Sequence, residues 1–246
     1  QSKADAVCLQ ETKLENAKFP EAELREIGYH AVFSGQKTYN GVAIIAKTPP
    51  VDVQSGIPGF ADEQKRTIAA TVDDVRLICA YVPNGQSIDS EKYRYKLDWL
   101  AAFQSWVQSE LRNYSRLAVL GDYNIAPADE DVHDPAAWKD QVLCSVPERS
   151  AFSALLATGL QDGFRLFKQP ERSYSWWDYR MNAFKRKMGL RIDHILLSRE
   201  LALACQRCEI DIEPRKLERP SDHAPVIAEI VAQVSRDPNS SRAPLL

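Results

Sequence analysis

The sequence predicts an α+β protein in which two β-sheets pack face to face and helices cover the outside. Short apolar runs rich in β-branched residues recur along the chain at hairpin-like spacings, and few stretches have the three-to-four-residue apolar period of a helix. Several runs are apolar throughout rather than alternating, which indicates strands covered by another layer. Many strands with few helices favour this arrangement over a doubly wound parallel sheet.

Eight runs carry the strand prediction. They are Ala6–Leu9, Val42–Ala46, Ile68–Val72, Leu77–Val82, Leu117–Leu120, Ile192–Leu197, Glu209–Ile212 and Pro225–Val231. Because no Gly/Ser-rich or Pro-rich linker separates them, we expect a single domain over residues 1–231. The polar, aperiodic segment 232–246 is predicted to be a disordered tail.

Helices are predicted at three places. The clearest is Ser90–Arg112, where Ser90 suits the N-cap position. A second helix spans Glu148–Thr158 and ends near Gly159, and a short third one follows Pro20. The long helix has one apolar stripe, formed by Tyr93, Leu97, Leu100, Phe103, Val107 and Leu111.

The composition limits the class of protein without identifying it. With 246 residues, 44% of them hydrophobic, the chain can bury a substantial core. It holds no run of about eighteen apolar residues and no visible signal peptide, so we expect no membrane partner. The net charge of −3 neither favours nor excludes DNA, because a nuclease with a carboxylate cluster can be acidic overall.

The five cysteines favour a structural role in a reducing compartment. Cys205 and Cys208 form a C-x-x-C pair, which can be redox-active or bind zinc. No second pair or nearby histidine completes a zinc site, so we interpret the pair as structural. A cytoplasmic location is therefore expected.

Polar side chains occur repeatedly where an apolar strand ends or begins. A single aspartate at such a position is more often a turn residue or a helix cap, but four such placements in one chain indicate a site. Strand ends at one rim of a sheet can converge, and the sheet then fixes their geometry. The residues concerned are Glu11, Asp122, Asn124, Asp193, Asp222 and His223.

These residue types suit the attack of water on a phosphodiester. Glu11 offers a hard oxygen ligand for Mg²⁺ or Mn²⁺, and Asp122 can orient and deprotonate a water. Asn124 can donate to a phosphate oxygen without adding charge. We expect His223 to bind the phosphate as an imidazolium, with Asp222 holding its tautomer and raising its pKa. The sequence has no G-x-S-x-G elbow, which argues against a serine hydrolase.

Six segments carry a family resemblance. They are LQETK (9–13), SGQKTYNGVAI (34–44), GDYNIAP (121–127), SWWDYR (175–180), GLRIDHILLS (189–198) and ERPSDHAPV (218–226). In this order they resemble the exonuclease III family of the endonuclease/exonuclease/phosphatase superfamily. The resemblance implies a DNase I-like four-layer α/β sandwich with two packed mixed sheets. It also implies a Mg²⁺-dependent DNA-repair hydrolase of phosphodiester bonds, with Mn²⁺ as a possible substitute.

The resemblance also implies roles for individual residues. Asp122 resembles the residue that activates the water, and Tyr81 resembles the tyrosine at the scissile phosphate. Asp193 resembles the carboxylate beside the metal and the histidine. The metal and phosphate site would then draw on Glu11, Asp122, Asn124, Asp222 and His223.

Two further segments are candidates for DNA contact. Trp176 and Arg180 combine a stacking surface with a cation, and Lys185 belongs to a basic loop that can bind phosphates. By resemblance, Trp176 and Leu190 would line an abasic-sugar pocket. The alternative is that the tryptophans are partly core and the lysines a solvated face. A second DNA-contact loop would use Gln36, Lys37, Tyr39 and Asn40.

Two departures from the family pattern are visible. Family members open with a strand ending in an asparagine, and this sequence begins inside the helix that follows it. We therefore expect a fragment that lacks the family's first strand and is unstable and weakly active. His133 follows GDYNIAP, and a bulky residue near the sugar pocket would favour 3′-end trimming over incision. An exposed loop histidine is the alternative.

The predicted function is cleavage 5′ to abasic sites and removal of nucleotides or blocking groups from 3′ ends of double-stranded DNA. We expect the enzyme to act as a monomer. Two alternatives remain open: a superfamily phosphatase acting on inositol phosphates or lipids, and a catalytically impaired DNA-binding module. The SWWDYR and GLRID segments argue against the phosphatase.

Overall fold

The computed structural model describes residues 4–231, so the predicted tail at 232–246 lies outside the described residues. The strands are β1 (Ala6–Gln10), β2 (His30–Ser34), β3 (Val42–Ala46), β4 (Val51–Ser55), β5 (Thr67–Val72), β6 (Val75–Tyr81), β7 (Leu117–Asp122), β8 (Leu160–Asp162), β9 (Asp193–Ser198), β10 (Cys205–Ile210) and β11 (Val226–Ile230). The α-helices are α1 (Glu21–Glu26), α2 (Glu91–Asn113), α3 (Pro135–Trp138), α4 (Val146–Leu156) and α5 (Arg199–Ala204).

The largest sheet has six strands in the order β4-β5-β6-β7-β9-β8. Strands β6 and β7 run parallel, with α2 between them in the chain, and the other pairs are antiparallel. The parallel pair aligns Tyr81 with Asp122, and the antiparallel pair β7–β9 aligns Asp122 with Asp193. The end of β6, the end of β7 and the beginning of β9 therefore meet at one edge of the sheet.

Alternate residues of this sheet enter two different cores. Ile78 and Ala80 of β6 face a core shared with the aromatic side chains of α2 and α4. Leu77 and Cys79 face the opposite way, into a core shared with β3 and β10. Both faces are covered, which is why these strands read as continuous apolar runs.

The second sheet layer consists of two antiparallel groups on the same face. One has the order β1-β3-β2 and the other pairs β10 with β11. Short α1 lies beside β2. The predicted class, α+β with packed sheets and helices outside, is confirmed.

The helix predictions are confirmed with small shifts. Ser90 is the N-cap of α2 and accepts from the Tyr93 amide, and α4 begins with a capping box between Ser145 and Glu148. The buried stripe of α2 differs from the predicted one. Lys96 is fully buried within it, whereas Leu97 is only half-buried. None of the helices in residues 4–231 is long and apolar enough to cross a membrane.

Three strands were not predicted. β4 is an edge strand that exposes Val51 and Val53 and has an irregular pairing register, so it lacks the pattern of a covered strand. β2 is short, and β8 has only three residues. The predicted run 209–212 also lies too late, because the strand starts at Cys205. Cys205 and Cys208 face the core as buried free thiols, which agrees with the structural interpretation.

Candidate active site

Four of the predicted site residues meet at the sheet edge formed by β6, β7 and β9. Asp122 ends β7, Tyr81 ends β6 and Asp193 begins β9. His223 reaches the same edge because its backbone forms a bridge with Trp176 just before β11. Within residues 4–231, Asp122, Asp193 and His223 form a group whose possible ligand atoms all lie within 4.8 Å of one another. The predicted convergence of distant residues is therefore present.

Asn124 is held directly behind this group. Its backbone amide donates to Asp122 Oδ1 over 2.8 Å, and its side-chain amide donates to Asp122 Oδ2 over 3.0 Å. Asn124 adopts a left-handed conformation, with φ 49°, which asparagine tolerates better than most residues. Its Oδ1 accepts from Asn84 Nδ2 over 2.9 Å. Asn84 was missed by the sequence analysis, and its only signal is its position three residues after Tyr81.

Glu11 lies at the mouth of the site, immediately after β1. Its carboxylate accepts from the Tyr81 hydroxyl and pairs with Lys13 Nζ over 2.7 Å. Burial raises the pKa of Glu11, but the hydrogen bonds from Lys13 and Tyr81 outweigh burial and lower it below the usual value. Burial and the contact with Glu11 raise the pKa of Tyr81, which therefore stays a neutral donor at neutral pH.

One predicted partnership is wrong. His223 Nδ1 contacts the two carboxylate oxygens of Asp193 at 3.0 and 2.9 Å, and not Asp222. The carboxylate of Asp222 accepts instead from Trp176 Nε1 over 3.1 Å. The reason is geometric, because adjacent residues of an extended segment point to opposite sides. Asp222 therefore holds the Trp176 indole through a hydrogen bond, and Asp193 orients the His223 imidazole.

The pKa values of Asp122 and His223 are shifted in the same direction by different causes. Burial raises the pKa of Asp122, His223 lowers it and Asp193 raises it, so that it lies at about 7. Burial lowers the pKa of His223, but the charge and hydrogen bond of Asp193 raise it to about 10. Asp122 can thus exchange a proton near neutral pH, while His223 remains an imidazolium.

A titration tests the pair formed by His223 and Asp193. In metal-free protein, the imidazole pKa of His223 measured by NMR is expected at about 10, and Asp193→Asn should lower it by about one to three units. Because the folded-state pKa of His223 lies above its unfolded value, protonation of His223 stabilises the fold. This contribution is complete below about pH 6.5 and is lost as the pH rises through about 10. An ordinary histidine pKa in the parent chain would contradict the pairing.

The sequence matches the Endonuclease/Exonuclease/phosphatase family over residues 1–223. This chain belongs to that family. It is 36% identical over 238 residues to an exodeoxyribonuclease III from Haemophilus influenzae, which covers 92% of this chain and 89% of the relative.

Two solved structures of the family are similar to this one. The 3′ phosphatase NExo from Neisseria, bound to a product DNA hairpin, has a TM-score of 0.91 and 49% identity, covering 93% of this chain and 89% of that chain. An AP endonuclease from Archaeoglobus fulgidus has a TM-score of 0.90 and 41% identity, covering 94% and 90%. These similarities confirm the predicted family and its DNase I-like fold.

The donor atoms of the site fit a divalent cation. Asp122 and Asp193 belong to the group of possible ligands found in residues 4–231, and Glu11 lies beside Tyr81 at the mouth of the site. All three offer hard carboxylate oxygens. Among the other predicted ligands, Asp222 accepts from Trp176 Nε1, Asn124 Oδ1 accepts from Asn84 Nδ2, and His223 Nδ1 is held by Asp193. The three carboxylates are therefore the better candidates for holding a metal ion.

The predicted DNA-contacting segment that contains Trp176 reaches the site through the bridge between Trp176 and His223. Trp176 is half-buried, and Arg180 and Lys185 are exposed, so all three are accessible to a ligand. Arg180 pairs with Asp178 over 2.6 Å. Leu190 is fully buried beneath Trp176, so it supports the tryptophan and does not itself line an open pocket.

The second predicted contact loop is only partly exposed. Lys37 and Tyr39 point outward, and Tyr39 is 69% exposed. Asn40 is buried and donates to Gln36 Oε1 and Gln64 Oε1, so its side chain supports the loop instead of facing solvent. Backbone hydrogen bonds join this loop to residues 12–13, which places it beside Glu11.

Proposed function

We propose that this chain is a Mg²⁺-dependent DNA-repair phosphodiesterase, with Mn²⁺ as a possible substitute. It cleaves DNA 5′ to abasic sites and removes nucleotides or blocking groups from 3′ ends. The observation that carries the proposal is the convergence of Asp122, Asp193 and His223 at one sheet edge, with Tyr81 aligned beside Asp122. Its relatives include an exodeoxyribonuclease III, an AP endonuclease and a 3′ phosphatase.

The geometry suits an in-line displacement at phosphorus. Asp122 accepts the proton of the attacking water, because its carboxylate lies beside Asp193 and His223 and is oriented by both Asn124 donors. The His223 imidazolium, held by Asp193, binds a non-bridging phosphate oxygen and offsets its negative charge. As the new phosphorus–oxygen bond forms, the bond to the 3′ oxygen of the preceding nucleotide breaks. That oxygen leaves with the electron pair and takes a proton from solvent to become the 3′ hydroxyl. A bound divalent ion would supply charge neutralisation at the phosphate.

Asn124 orients Asp122, and Tyr81 lies where it can contact the phosphate. The two donors of the Asn124 amide are already used by Asp122 and the Val82 carbonyl, so Asn124 orients the base more than it contacts substrate. The Tyr81 hydroxyl points at Glu11, and Arg66 lies over the Tyr81 ring at 4.8 Å. These contacts hold the phenol at the position where a phosphate oxygen would pass.

We further propose that the enzyme acts as a monomer, because one chain supplies every residue of the site. The half-buried Trp176 and the exposed Arg180 and Lys185 would receive the duplex, and Lys37 and Tyr39 would contact it beside Glu11. The positive charges of Lys37, Arg180 and Lys185 favour a polyanionic ligand.

A cleavage assay tests the proposal. A duplex oligonucleotide with one abasic analogue and a second with a 3′ phosphate are incubated with the protein, with Mg²⁺ or with chelator. Mg²⁺-dependent product from either DNA supports the proposal. Phosphate release from inositol phosphates without DNA cleavage would favour the phosphatase, and chelator-insensitive DNA binding without cleavage would favour a binding module.

His133 is expected to set the balance between incision and 3′-end trimming. Its backbone amide and its Nδ1 both contact the Gly189 carbonyl, and its ring packs on Trp138. It therefore lies next to Leu190, whose backbone pairs with Trp176. His133→Ala should widen the approach to Trp176 and raise the ratio of abasic incision to 3′-end trimming by about 3-fold to 10-fold. The two activities are measured on matched duplexes, and an unchanged ratio would assign His133 to a structural role.

A further inference from the structure

A fully buried ion pair lies behind the site. Lys96 of α2 and Glu148 of α4 both have no exposed surface, and Lys96 Nζ is 2.5 Å from Glu148 Oε1. Burying two charges costs several kcal/mol per ion, and apolar residues of similar volume are often as stable. The net stability of the pair is therefore a weak reason for its presence.

The ammonium of Lys96 also holds the two loops that lead into the site. Its Nζ donates to the Asn124 carbonyl over 2.7 Å and to the Asn84 carbonyl over 3.1 Å. Together with Glu148, these acceptors use all three donors of the ammonium. One cation thus fixes the backbone that follows β7 and the backbone that follows β6.

The side chains of the same two asparagines continue the chain of contacts to the catalytic carboxylate. Asn84 Nδ2 donates to Asn124 Oδ1, which sets the orientation of the Asn124 amide. The Asn124 amide then donates to Asp122 Oδ2. Because Asn124 is in the left-handed region, its conformation depends on such surrounding contacts.

Glu148 is itself held rigidly. Its carboxylate accepts from the Leu143 amide over 3.0 Å, from the Ser145 amide over 3.1 Å and from the Ser145 hydroxyl over 2.5 Å. Tyr93 of α2 in turn contacts the Ser145 hydroxyl. The start of α4 therefore provides a fixed anchor for the ammonium.

We propose that Lys96 and Glu148 are positioning residues, which fix the Asn84–Asn124 pair and through it the orientation of the Asp122 carboxylate. Neither side chain touches substrate. This inference rests on the proposed role of Asp122 as the base. It goes further, because it attributes the orientation of the Asp122 carboxylate to the buried pair of Lys96 and Glu148.

The test replaces the pair by neutral residues that keep hydrogen-bonding groups, in the variant Lys96→Gln/Glu148→Gln. The shorter amide of Gln at position 96 cannot reach the Asn124 carbonyl as the ammonium does. The matched control is Arg76→Gln/Glu110→Gln, which removes a second buried ion pair, with 2.7 Å between Nε and Oε2, on β6 and α2. Arg76 is the second residue of β6, near the opposite end of the strand from Tyr81.

Two readouts are measured well below the melting temperature of each variant. Cleavage of abasic DNA should show kcat about 10-fold to 100-fold lower in the Lys96/Glu148 variant, with KM and the Kd for DNA within about 3-fold of the parent. The control should keep kcat within about 2-fold. Hydrogen exchange of the segment 121–126 should be faster in the Lys96/Glu148 variant and unchanged in the control.

Parent-like kcat together with parent-like exchange would overturn the inference, as would an equal loss of kcat in the control. If the neutral pair does not fold, Lys96→Arg is tested instead, because it keeps a cation opposite Glu148. The longer arginine side chain should displace the two carbonyls and lower kcat. Parent-like kcat and parent-like exchange in Lys96→Arg would overturn the inference. If the parent itself cleaves no DNA, the proposed function fails, and the exchange comparison still decides the role of Lys96.

Discussion

Asp122→Asn is expected to lower kcat for DNA cleavage by about 100-fold to 10,000-fold, the range typical of losing a general base. The carboxylate lies at the centre of the site and is 5% exposed. Both of its oxygens accept from Asn124, one from the backbone amide and one from the side chain. An amide at position 122 can accept from only one of these donors and cannot take a proton from water.

The same substitution should leave the fold and DNA binding largely intact. Burial already favours the neutral form of Asp122, since its pKa is raised to about 7, so a neutral amide introduces no new buried charge. In metal-free protein, the ionised carboxylate costs stability as the pH rises from about 4 to about 7. Removing that ionisation offsets part of the lost hydrogen bond.

The matched control for this prediction is Asp162→Asn. Asp162 is a buried aspartate at the end of β8, pairs with Arg191 over 2.8 Å and is not part of the site. It should lower the free energy of unfolding with kcat little changed. Single-turnover cleavage measures the chemical step. Fluorescence measurement of DNA binding in the presence of chelator shows whether affinity for DNA is kept. If Asp122→Asn cleaves within about 3-fold of the parent, Asp122 is not the base.

The sequence identified those parts of the site that follow strongly apolar strands. Asp122 and Asp193 were found because β7 and β9 are covered on both faces, so a carboxylate at their ends interrupts an apolar run. β4 was missed for the opposite reason. It is an edge strand with exposed valines, so its sequence does not show the continuous apolar run of a strand covered on both faces.

The contacts between distant segments could not be predicted in the same way. Adjacency suggested Asp222 as the partner of His223, but backbone direction gives that role to Asp193. Lys96 did leave a signal in the sequence. It lies three residues after Tyr93 and four before Leu100, which places a lysine on the apolar face of the helix. A charge buried on that face needs buried hydrogen-bond partners.

Gly121→Ala is expected to cause the largest loss of stability among single substitutions near the site. Gly121 pairs with Ala80 in the parallel β6–β7 register, one residue before Tyr81 and Asp122. A Cβ at Gly121 would lie 1.8 Å from the Ala80 carbonyl oxygen and 2.8 Å from its carbon, and its φ is +152°. Both atoms are backbone, so no rotamer change relieves the clash.

The substitution must therefore separate β6 from β7 at the point where Tyr81 and Asp122 leave the sheet. We expect the free energy of unfolding to fall by about 3 kcal/mol or more in urea denaturation, at the upper end of the cost of overpacking. Cleavage should fall as well in the fraction that remains folded, because a displacement of about 1 Å in a catalytic group can cost 100-fold in rate.

Gly159→Ala separates the steric cause from the conformational one. Gly159 also has a positive φ, +114°, but no atom lies within 4 Å of its added Cβ. Its substitution should cost only about 1 kcal/mol, the usual penalty of forcing a residue with a side chain into that region, and should leave kcat unchanged. Equal losses of stability in the two variants would show that conformation alone requires glycine at position 121. A loss confined to Gly121→Ala would show that the close approach of β6 and β7 is what holds Tyr81 beside Asp122.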